Sequence, residues 1–96
     1  MAPSAEQLGA REGDVLWRPE IFHGNYYGLG TWEVVGFETK TTRGFFGGEQ
    51  KIKVVRIRRL IPGIGPDERI EEEDASAGYL WDGIVRKENR IDLKQK

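Results

Sequence analysis

"KIKVVRIRRL", Lys51 to Leu60, is the stretch on which the fold turns. Val54, Val55 and Ile57 are β-branched residues that suit a pleated, half-buried surface. Alternation puts Ile52 and Val54 on one face and Val55 and Ile57 on the other. A bulge, or a change in burial along the strand, reconciles the two. The same stretch carries five positive charges and no negative one. What that charge faces bears on function: a nucleic acid, an acidic protein, or the chain's own acidic segment further on.

Working outward, "TWEVVGFET" (31–39) reads as the partner strand. Trp32 and Val34 point one way, Val35 and Phe37 the other, and Gly36 marks a bend or bulge. Between the two, "KTTRGFFGGEQ" (40–50) reads as a long hairpin tip. Upstream, "EGDVLWRPE" opens the fold with a turn at Gly13-Asp14, a strand at Val15, Leu16 and Trp17, and a stop at Pro19. "IFHGNYYGLG" (21–30) reads as a loop with rings in it. Downstream, "IPGIGP" (61–66) is a stiff turn. "DERIEEEDASA" reads as a solvated acidic loop or one short helix. "GYLWDGIVRKENRIDL" divides into a strand, a turn at Asp82-Gly83, a strand, a turn near 87–89 and a last short strand. A helix across 74–87 competes, with Gly78 and Gly83 against it. Ser4 and Gln7 have capping-box spacing, but residues 1–12 are expected to form a loose, flexible arm.

The expectation is therefore mainly β: a single small antiparallel barrel of about five strands over 13–96, with an N-terminal arm and an acidic loop. Ninety-six residues, 38% of them hydrophobic, suffice for one core of modest stability. The absence of Cys excludes disulfides, thiolate metal sites and Cys nucleophiles. No apolar run approaches the ~20 residues of a membrane helix, and "MAPSAEQLGAREGD" lacks the basic start and apolar stretch of a signal peptide. No membrane insertion is expected. The expected location is the cytoplasm or another reducing compartment such as the plastid stroma.

Candidate chemical sites are few. His23 is the sole histidine, and neither Ser4 nor Ser76 stands in a nucleophile-elbow context. The acidic run Asp67–Asp74 lacks calcium-loop spacing. "HGNYYGLG" and "GFFGG" match no phosphate-cradling signature, and turns explain their glycines. No catalytic set, no metal and no cofactor are expected. Phe45 and Phe46, adjacent at the hairpin tip, suit a partner contact or a cap on the barrel's open end. Tyr26 and Tyr27 with Phe22 suit a shallow aromatic groove, a stacking platform, or one core ring with one rim ring.

Net charge is −1, made of blocks: −3 over 1–50, +5 over 51–60, −5 over 61–75 and +2 over 76–96. Lys51, Lys53, Arg56, Arg58 and Arg59 could track a phosphate backbone. The acidic run nearby competes for the same cations, so partial internal neutralisation is the least demanding answer. The remainder suits an acidic protein surface.

"RPE" at 18–20, Asn25 in an aromatic stretch, Gly30-Thr31 opening a strand, and "KVVRI" further on resemble one family. They are similar to the SH3-like small barrels of photosystem I subunit IV and of the ferredoxin-docking subunit of the photosynthetic NDH complex. The resemblance covers about 13–60. The loop before Gly30 and the tip after Lys40 are longer here, and 67–74 has no counterpart. It implies an SH3-like barrel and docking of an acidic electron carrier through Arg56, Arg58 and Arg59. The leading expectation is a non-catalytic protein-binding module or small subunit of a larger complex. Its contacts are Phe45, Phe46, Arg56, Arg58 and Arg59, with Tyr26 and Tyr27 as a second patch. Nucleic-acid binding through 51–59 and the loop aromatics is the alternative.

Overall fold

The computed structural model describes residues 2–44, 46–76 and 80–90. Five antiparallel strands form one sheet in the order β4-β3-β2-β1-β5. They are β1 (Val15–Phe22), β2 (Asn25–Arg43), β3 (Glu49–Ile61), β4 (Gly65–Asp74) and β5 (Gly83–Val85), followed by one 3₁₀ turn at Lys87–Asn89. The sheet curls into a half-barrel with almost no helix.

Two contacts show the curl. Arg18 on β1 and Glu73 on β4 lie three strands apart, which in a flat sheet is about 14 Å. Their side chains nevertheless meet at 3.1 Å. Across the same concave face Trp32 and Trp81 pack edge to face, 5.5 Å between centroids. The Arg18 guanidinium stands over both rings, at 4.6 and 4.1 Å.

A bulge places the core residues of β2. Val34 pairs with Ile57 and Gly36 with Arg56, so Val35 is the extra residue. The shift lets Trp32 and Val34 before it and Phe37 after it pack into one core with Val55, Ile57, Leu16 and Trp81. Alternation alone had put Phe37 on the opposite face.

Several sequence expectations need correction. The ringed loop 21–30 is a tight hairpin, with Phe22 paired to Asn25. Pro19 does not end β1. The β5 ladder reaches only Trp17, so no neighbour on that side needs the missing Pro19 N–H. The tip between β2 and β3 shortens to residues 44–48 because the strands run to Arg43 and from Glu49. The acidic loop is strand β4, paired with the basic strand over Val54–Asp74 to Ile61–Gly65. The strand expected after the Asp82-Gly83 turn is present at 83–85, against the competing helix, whereas Leu80 and Trp81, expected in a strand before that turn, are in none. The last short strand expected after Arg90 lies outside the described residues.

Residues 2–10 are packed rather than loose. Ser4, Ala5 and Ala10 are buried, and Leu8 packs on the core. The capping box forms on a single turn: the Ser4 N–H donates to Gln7 Oε1 (2.9 Å) and the Gln7 N–H to Ser4 Oγ (3.2 Å). Backbone bonds tie the segment down, from Glu6 N–H to the Ala75 carbonyl (2.9 Å) and from Trp81 N–H to the Pro3 carbonyl (2.7 Å).

Candidate functional site

Beyond Trp17, β1 has left β5, and before Thr31, β2 has not yet met β3. Residues 18–30 therefore stand as a two-stranded arm. Its turn is His23-Gly24, with φ of 50° and 78°. Two consecutive positive φ values define the turn whose twist matches a hairpin. A second bulge sits inside the arm. Pro19 pairs with Leu29 and Ile21 with Tyr26, leaving Glu20 opposite both Tyr27 and Gly28. Gly28 takes φ 101°, a conformation open to glycine.

The bulge turns Tyr27 toward the concave face, where its ring meets Phe22 edge-on at 6.5 Å. An open groove of about 620 Å³ results, walled by Phe22, Tyr27 and Trp32, with Arg18 and Glu20 as its polar groups and Pro19 and Ile21 along its rim. The register puts Ile21, Tyr26 and Leu29 on the outer face. Ile21, Phe22, Tyr26, Tyr27 and Leu29 are each 57–67% exposed. Residues 21–30 include no Asp, Glu, Lys or Arg.

The basic strand is engaged with the chain's own carboxylates. Arg58 meets Glu33 at 2.6 Å, Arg56 meets Glu72 at 3.6 Å, Lys53 meets Glu6 at 3.6 Å, and Arg59 pairs with Glu20. Only Glu72 comes from the acidic strand; the others come from β1, β2 and the N-terminal segment. Glu72 also receives Lys40 at 2.6 Å, and that hydrogen bond raises the lysine's pKa. Glu33 further accepts from Arg90 at 2.8 Å. Burial pushes the Glu33 pKa up, but the hydrogen bonds from Arg90 and Arg58 outweigh it and hold it below its usual value.

Tyr26 and Tyr27 are thus both exposed residues of one arm, on its opposite faces, and neither is a core ring. Phe46 is 95% exposed at the opposite hairpin tip, and Phe45 lies outside the described residues. The arm tip and the β2–β3 tip are separate places in the fold. His23 sits in the arm's turn with its ring 4.2 Å from that of Phe22. Ser4 Oγ is used in the capping box, and Ser76 donates to Asp74. Among the described residues, no group of three or more His, Asp or Glu is placed to hold a metal ion. No described helix is long and apolar enough to cross a membrane. Ile21 and Leu29 were not singled out as contact residues. The readable signal for them was strand-forming Ile21-Phe22 and Tyr26-Tyr27 on either side of a short break at 23–25.

No family model, curated protein or solved structure matches this chain.

Proposed function

We propose that this chain is a non-catalytic protein-binding module, or a small accessory subunit of a larger complex, that docks through the arm 18–30. One observation carries this: five large apolar side chains are exposed on a two-stranded arm that no third strand supports, within a stretch, 21–30, free of Asp, Glu, Lys and Arg. Apolar clusters of this size on a small protein mark interaction sites. Tyr26 and Tyr27 are contacts in this reading, and Phe46 at the other tip supplies a second patch. Arg56, Arg58 and Arg59 already face Glu72, Glu33 and Glu20. Those pairings count against a phosphate backbone, or an acidic electron carrier, as the main partner.

The test is affinity isolation of the tagged chain from lysate, with and without nuclease, beside a Tyr26→Ser, Tyr27→Ser variant. A nuclease-resistant protein recovered by the wild type and lost by the variant is expected. Recovery unchanged by the substitutions, or recovery of nucleic acid alone, overturns the reading.

A further inference from the structure

We propose that the arm's partner is a second copy of this chain, docked arm to arm about a two-fold axis. This rests on the reading of the arm as a docking surface and names its occupant. An isolated two-stranded hairpin is marginal in water, and three or more strands are needed for independent stability. Two arms brought together supply four. The arm's two edges are not equivalent. On β1 Pro19 has no N–H to offer, whereas β2 from Asn25 to Gly30 contains no proline and lies clear of β3. The β2 edge is therefore the one a copy can use.

Charge favours this occupant. In a two-fold interface a charge on one copy needs an opposite partner elsewhere on the same patch, and an uncharged patch needs none. Residues 21–30 have none of the four charged residue types, and the whole chain carries only −1. Area agrees. At 57–67% exposure, the five apolar side chains present roughly 600 Å² per copy. Complete coverage of all five on both copies sets an upper limit of about 1,200 Å², where standard interfaces begin, and Tyr26, Tyr27 and Leu29 on β2 are the ones beside the pairing edge. Apolar residues on both faces of the arm also fit edge pairing, which sets side chains of both faces beside those of the neighbour.

Sedimentation of the full chain across a concentration series tests this. A monomer–dimer equilibrium is expected for the wild type and for Phe46→Ser. Tyr26→Glu, with its fold checked by circular dichroism, is expected to weaken dimerisation at least about 30-fold. A wild type that stays monomeric throughout overturns the proposal, as does a Tyr26→Glu variant that dimerises like the wild type. If the chain is monomeric yet loses a captured protein on Tyr26 and Tyr27 substitution, the docking reading stands and only the self-association fails. If neither is seen, both fail.

Discussion

Asp14 is the residue on which the chain's two ends converge. Its side chain is 1% exposed. Oδ2 accepts the Arg11 N–H (2.9 Å) and Arg86 Nη1 (3.2 Å), and Oδ1 accepts the Lys87 N–H (2.8 Å). Burial alone would raise its pKa, but these bonds prevail and lower it. The folded pKa is thus below the unfolded one, so Asp14 contributes stability above about pH 4 that is lost as pH falls through the folded value. Glu33 acts in the same direction. Urea midpoints should be flat from pH 7 to 5 and drop below about pH 4, less steeply in Asp14→Asn. Asp14→Ala, which strands buried donors, should cost about 3 kcal/mol in urea unfolding at pH 7. Asp14 was legible only as half of a turn signal, because its partners come from both ends of the chain.

At the scale of elements, the legible features were those with local signals. Gly36 marked a bulge, and Val54 to Ile57 marked a strand. The arm was misread because three glycines and three aromatics hid a two-residue turn. His23 is a non-glycine residue at positive φ, so His23→Asn should raise the melting temperature slightly, while Gly24→Val should lower stability by about 1–2 kcal/mol. Strand β4 was misread for another reason. Asp and Glu are poor strand formers, and it is the backbone ladder with β3, with Arg56 opposite Glu72, that holds "ERIEEED" extended. Among the described residues β4 pairs with β3 alone, so its other side is an open edge. Exposed Glu68 and Glu71 guard it. Glu68→Val, Glu71→Val should aggregate on mild heating, as followed by light scattering.

For the whole molecule, the question is what holds the curl. The Arg18–Glu73 pair, with side chains 14% and 10% exposed, spans the concave face between strands that share no ladder. Arg18→Ala would leave Glu73 poorly hydrated and should cost about 3–5 kcal/mol, whereas Arg18→Leu with Glu73→Leu should recover most of it. A neutral Arg18→Ala in urea unfolding would mean that the curl is held elsewhere. Sequence blocks of charge showed that neutralisation was available. They could not show that Glu73 would choose Arg18, since that pairing exists only once the sheet is curved.

The packed N-terminal segment carries a consequence for how the molecule opens. Arg86 donates to the Leu8 and Gly9 carbonyls while also holding Asp14, and Arg90 reaches the Gly13 carbonyl. Neither segment can lift away without releasing the other. In hydrogen–deuterium exchange the amides of Arg11 and Lys87 should therefore share one protection factor and behave as a single cooperative unit. The amides of the arm should exchange independently of that unit.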